Sequence, residues 1–140
     1  SMRVTSSGLE DEGLIAEAIS IMIGDPDLVE MEKTNSYHGS PLFLISATTR
    51  KNKLALKTIS RLGKKNIEDL RTTIDQRLDE NNTLHFRIGL DELIDGNAVI
   101  VNPGGKSVKL QVKLEVYPGQ SVTQETDLFL QDALLLCDDV

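Results

Sequence analysis

Tryptophan is absent from this 140-residue chain, cysteine occurs once, histidine twice, and only three Phe and two Tyr supply aromatic bulk. Each scarcity excludes something. A single Cys137 cannot build an internal disulfide framework, which fits a reducing, cytoplasmic setting. His38, His85 and Cys137 are too few and too scattered for a metal site, so no metal or cofactor is expected. With few aromatics, Leu, Ile and Val must fill the core. No apolar run approaches the ~20 residues of a membrane-spanning helix. The polar opening SMRVTSSGLEDE has no signal-peptide pattern, and Ser1 before Met2 reads as a remnant of cloning. One domain over residues 1–140 is expected from the length.

Positive charge is also scarce, with 15 Lys and Arg against 22 Asp and Glu, for a net charge of −7. It is unevenly spread. RKNKLALKTISRLGKK, residues 50–65, holds seven of the fifteen cations and no acid. The rest of the chain carries eight cations against all twenty-two acids. The molecule is polarised rather than uniformly acidic.

Hydrophobic spacing predicts alternating elements. Residues 3–6 read as a short strand. Ser7 lies three residues before Glu10, the spacing of a capping box, and Leu14, Ile15, Ala18, Ile19 and Met22 then recur at helical intervals. Gly24 and Asp25-Pro26 end that helix. Strands are expected over 28–33 and 42–49, the latter apolar on both sides and so internal to a sheet. Helices are expected over roughly 51–62 and 66–78. TLHFRIGL, residues 83–90, alternates, with Leu84, Phe86, Ile88 and Leu90 facing one way and His85 and Arg87 the other. Residues 98–101 read as a short strand and SVKLQVKLEVY, 107–117, as a long one. An apolar helix follows over 123–136, a cap on the core or a docking element. The sum is an α+β fold, an antiparallel sheet with helices packed on one face and a polar, partly basic second face.

On a helix, Arg50, Lys53, Lys57, Arg61 and Lys64 fall within an arc of roughly 80°, opposite Ala55, Leu56, Ile59 and Leu62. Such a ridge suits a polyanion, because clustered cations release counterions on binding phosphates. A solvated face paired with acids elsewhere is the plainer reading of a charge run. Gly63 is placed to end the helix, leaving Lys64 and Lys65 in a turn. Catalytic patterns fail. Gly104-Gly105-Lys106-Ser107 resembles the end of a phosphate-binding loop, but Ile100 stands where that motif needs glycine and a strand follows instead of a helix. There is no nucleophile motif. The chain is not expected to be an enzyme.

The segments KTNSYHGSPLFLISATTRK, LDENNTLHFRI and SVKLQVKLEVYPG, in that order, resemble an archaeal predicted exosome-subunit family within a broader RNA-binding group. The resemblance covers most of residues 9–118. It implies a fold like that of the ribosomal protein that binds the small ribosomal RNA of the large subunit. It also implies RNA binding connected with RNA processing or degradation, with His38, Gly39 and Arg50 as candidate RNA contacts. Beside these, Tyr37 in the same loop, the cations Lys53, Lys57, Arg61, Lys64 and Lys65, and Arg87, Lys109 and Lys113 on the polar strand faces complete the candidate interface. The expected partners are RNA and an RNA-processing complex. A protein-interaction module or homodimer built on the basic helix and the C-terminal helix is the alternative.

Overall fold

Alternation of apolar and polar side chains gives a strand one face to bury, and the structure uses that in three strands side by side. The computed structural model describes residues 1–8, 12–35, 41–102 and 106–137. In chain order these form β1 (Met2–Gly8), α1 (Glu12–Ile23), one 3-10 turn (Pro26–Leu28), β2 (Val29–Asn35), β3 (Pro41–Thr49) and α2 (Asn52–Ser60). Then come α3 (Lys64–Thr72), α4 (Ile74–Arg77), β4 (Thr83–Gly89), α5 (Leu90–Ile94), β5 (Ile100–Val101), β6 (Ser107–Lys113) and α6 (Val122–Cys137). The six strands make one sheet in the order β2-β3-β1-β6-β4-β5, every pair antiparallel. This is the expected α+β architecture.

Register explains the two faces. Residues directly opposite in adjacent strands share a face. Val29, Ala47, Val4, Leu110 and Phe86 line up across five strands and lie under the helices. Met2, Val112 and Leu84 make a second buried row. Ile15, Ile19, Ile23, Ile59, Ile67 and Leu70 close over them from the helices. The opposite face carries Glu30, Ser46, Thr5, Lys109 and Arg87 in one row and Thr48, Arg3, Gln111 and His85 in the next. No described helix covers those polar rows, whose side chains are exposed or half-buried.

The C-terminal segment completes the helical layer. α6 packs on α2, α3 and α4, burying Phe129, Leu130 and Ala133. Arg71 clamps it. Its Nε donates to Asp127 Oδ1 at 2.7 Å and its Nη2 to Oδ2 at 3.3 Å, while Nη1 reaches Glu68 Oε1 at 3.2 Å. Gln131 Nε2 adds a bond to Asp127 Oδ2 at 2.6 Å.

Several boundaries differ from the sequence reading. The capping box expected at Ser7 and Glu10 falls partly outside the described residues, and the Ser7 backbone is part of a strand. Ser7 belongs to β1, opposite Leu44, in a seven-residue ladder with β3 that carries the strand past the expected Ser6. The helix expected over 66–78 starts earlier, at Lys64, and breaks at Thr73. There the hydroxyl donates to the Asp69 carbonyl at 2.8 Å, a back-bond that bends helices. The strand expected over 107–117 stops at Lys113. Its neighbours begin opposite that point, at Met2 and Thr83, so later residues have no ladder to join. α5 was not anticipated.

The Arg71 clamp sets a pH dependence. Its guanidinium, helped by the Gln131 amide, holds the Asp127 carboxyl below its ordinary value of 3.8. A depressed folded-state pKa stabilises above the unfolded value and is lost as pH falls through the folded one. Arg71→Ala should therefore lower stability by about 1 kcal/mol at pH 7, the upper range for a partly exposed pair. Urea denaturation at pH 7 and near pH 3 should show that difference shrinking in acid. An equal difference at both pH values would show that the clamp acts through packing alone.

Candidate nucleic-acid interface

The basic run 50–65 folds into two pieces rather than one. α2 presents Lys53 and Lys57 to solvent, with Arg50 and Lys51 exposed just before it, while Ala55, Thr58 and Ile59 turn inward. The Thr58 hydroxyl donates to the Leu54 carbonyl at 2.9 Å, so its burial leaves no polar atom unmet. Among the described residues no carboxylate pairs with Arg50, Lys51, Lys53, Lys57 or Lys65. The plain reading of a charge run as a salt-bridged face has no support in those residues.

Arg61 lies on the same side but has a second task. Its Nη1 donates to the Met22 carbonyl at 2.7 Å, satisfying a carbonyl at the C-terminal end of α1. The guanidinium lies against Gly24, which ends α1 at φ 78° with its N–H on the Ser20 carbonyl at 2.9 Å. A side chain there would meet both a strained backbone and, at 2.8 Å, the Arg61 Nη2.

Gly63, at φ 88°, separates α2 from α3. Lys64 and Lys65 do not sit in a turn as the sequence suggested. They occupy the first turn of α3, where the helix dipole disfavours cations and the turn itself carries no acidic residue.

The open sheet face holds the second group. Lys109 and Arg87 are direct neighbours across β6 and β4, and Thr5 and Val101 extend the row. Arg3 sits opposite Gln111, and His85 lies beyond it. Lys113 stands at the end of β6 opposite Thr83. Arg87 Nη1 donates to Ser107 Oγ at 3.1 Å. His85 Nε2 and Asp79 Oδ2 lie 2.7 Å apart. Asp79 also accepts from the backbone N–H groups of Thr83 and Asn81, and these bonds, His85 first, hold its carboxyl below the ordinary range. Tyr37, His38 and Gly39 lie outside the described residues.

The two basic surfaces are on opposite sides of the sheet. Arg50 and Lys113 meet at one end of it, in a groove of about 440 Å³ that also contains Glu115, Glu125 and Asp132. Those acids interrupt the positive surface. Among the described residues no phenylalanine stands on the open face: Phe43 and Phe86 belong to the helix-covered side and Phe129 to α6. Two cations were missed in the sequence. Arg3 could have been found from the inward Val4 beside it. Arg77 had no signal, since its position depends on how α4 meets β4.

This fold, an antiparallel sheet backed by helices, has counterparts. A family model described as RNA binding matches residues 1–114, and the chain belongs to that family. Three archaeal proteins of known structure share the fold. A DUF54 protein from Archaeglobus fulgidus has 24% identity and a TM-score of 0.69, covering 92% of this chain and 96% of its own. One from Methanothermobacter thermautotrophicus has 23% identity and a TM-score of 0.67, with the same coverage. One from Sulfolobus solfataricus has 15% identity and a TM-score of 0.69, covering 99% and 97%. At these identities the likeness is one of fold. No curated protein matches.

The placement of Lys65 is open to test. Lys65→Glu exchanges an unfavourable charge for a favourable one at the start of α3 and should raise stability by about 0.5–1 kcal/mol. Chemical denaturation at low ionic strength reads this directly. An unchanged or lower stability would mean that the lysine already has a compensating role in the fold.

Proposed function

We propose that the chain is a non-catalytic RNA-binding protein that grips the phosphate backbone with two surfaces. One is the α2 ridge of Arg50, Lys53 and Lys57, continued by Lys65. The other is the open sheet face of Arg3, Arg87, Lys109 and Lys113. The observation that carries this reading is the set of solvent-facing cations without carboxylate partners in a chain of net charge −7, joined to membership of the RNA-binding family. Arg61 and Lys64 extend the ridge, and Tyr37, His38 and Gly39 are assigned to the same interface from the family resemblance. The resemblance also motivates a cytoplasmic, accessory role in exosome-type RNA processing, on a frame akin to the ribosomal protein named above. No nucleophile or metal-ligand set among the described residues suggests a reaction.

One feature favours a second, protein-directed interface. Leu14, Ala18, Ile21 and Met22 of α1 face Leu93 and Ile94 of α5 across a groove of about 270 Å³, and Ile21 is 68% exposed. A protein partner or a second copy held there would bind with little dependence on salt, unlike a phosphate-tracking surface.

Fluorescence anisotropy with single-stranded and structured RNA, from about 50 to 200 mM salt, separates these readings. Affinity should fall steeply with salt and vary little with sequence. Lys53→Glu/Lys57→Glu and Arg87→Glu/Lys109→Glu should each weaken binding at least about tenfold and reduce the salt slope by about 1–2. If only one pair matters, RNA uses one surface. Absence of binding at the lowest salt by folded protein would refute the RNA reading for this chain.

A further inference from the structure

One place on the open face is more than a distribution of charge. β5 pairs only with Arg87 and Ile88, and a bridge from Leu78 to Leu84 covers the start of β4, which leaves the middle of that edge, at His85 and Phe86, without a described strand beside it. A recess of about 120 Å³ lies there, lined by Arg77, His85, Phe86, Arg87, Val101, Asn102 and Lys109. That volume accommodates about four water molecules. Three of the lining residues are permanent cations and none is an acid.

Both arginines are held before any ligand arrives. Arg77 Nε donates to Thr73 Oγ1 at 2.8 Å, and Arg87 Nη1 donates to Ser107 Oγ at 3.1 Å. Each tether uses one N–H of a guanidinium that has five. Among the described residues no carboxylate pairs with Arg77, Arg87 or Lys109. The nearby acid, Asp79, is turned to His85 and to the backbone of Asn81 and Thr83. Three like charges around one hollow repel each other, and among the described residues no acid lines the hollow to relieve them. An anion would.

We propose that this recess is a phosphate subsite. Arg77 and Arg87 offer forked N–H donors fitted to phosphate oxygens, Lys109 adds a point charge, and the Asn102 amide completes the rim. The tethers reduce the rotamer freedom lost on binding. The proposal deepens the RNA-binding reading by naming one discrete point at which the strand is held. A phosphodiester within RNA and a terminal phosphomonoester share this chemistry.

The test is a ¹⁵N–¹H NMR titration at constant ionic strength, following the arginine Nε–Hε signals and the Val101 and Asn102 amides. The probes are inorganic phosphate, adenosine 5′-monophosphate, and the dinucleoside ApA, which has a diester and no terminal phosphate. Saturable shifts at Arg77, Arg87, Val101 and Asn102 are expected. Arg77→Gln, whose well-dispersed spectrum would show an intact fold, should weaken the responding probe about tenfold. Response to ApA supports a diester subsite, and response to the monoesters alone supports a terminal-phosphate subsite. No saturable shift with any probe, or equal binding by Arg77→Gln, overturns the proposal. RNA anisotropy on the same samples keeps the two claims apart. RNA binding without phosphate shifts sinks the subsite and spares the RNA reading, whereas phosphate shifts without RNA binding do the reverse.

Discussion

Everything in this structure depends on a sheet that can be buried on only one side. β1, β6 and β4 place apolar residues on one face and hydroxyl, amide and charged groups on the other, and β3 adds Ser46 and Thr48, with Leu44, to that second face. Covering the second face would strand those groups away from water at a cost of a few kcal/mol each. The helices are therefore confined to one layer, and α6 closes that layer instead of crossing to the other side. The open face follows from the same alternation that builds the core. Its charge is then a free variable, and here it is basic around β1, β6 and β4.

Charge and fold are coupled differently on the two basic surfaces. On α2 the cations project from a helix whose inner side is part of the core, so the ridge is as rigid as the packing beneath it. Arg61 joins both functions, since its guanidinium closes the end of α1 while remaining at the surface. Lys64 and Lys65 depart from what a helix start favours. Local rules are usually broken where a site imposes another demand, and clustered cations are such a demand. The acids between the two surfaces, Glu115, Glu125 and Asp132, make them separate places of contact.

Much of the frame was legible because a period of two is hard to counterfeit. The inward Leu84, Phe86 and Ile88, and the inward Val108, Leu110 and Val112, identify β4 and β6 and assign Arg87, Lys109 and Lys113 to the polar face before any coordinates. α2 was legible from the opposition of lysines to Ala55 and Ile59. Less was visible where tertiary partners decide the outcome. β1 runs two residues beyond the expected Ser6 because β3 offers a ladder to Gly8. α5 is only five residues long, too short to reveal a helical period. The meeting of Arg77 with Arg87 and Lys109 joins a short helix to two strands distant in sequence, and no spacing rule relates them.

The rims of the sheet have their own consequence. β2, at one border, sets Glu30 and Glu32 on the open face and Lys33 on the other side, over the Phe43 ring. β5, at the other border, is two residues long. A bare strand margin is a template for another chain, and proteins blunt it with charge or brevity. This sheet uses charge at one margin and brevity at the other. Growth by adding strands, the usual opening to fibrous aggregation, is discouraged in both directions while the basic face between them stays uncovered. The molecule can thus keep a wide, unshielded surface in a crowded solution without becoming a seed for its own polymer.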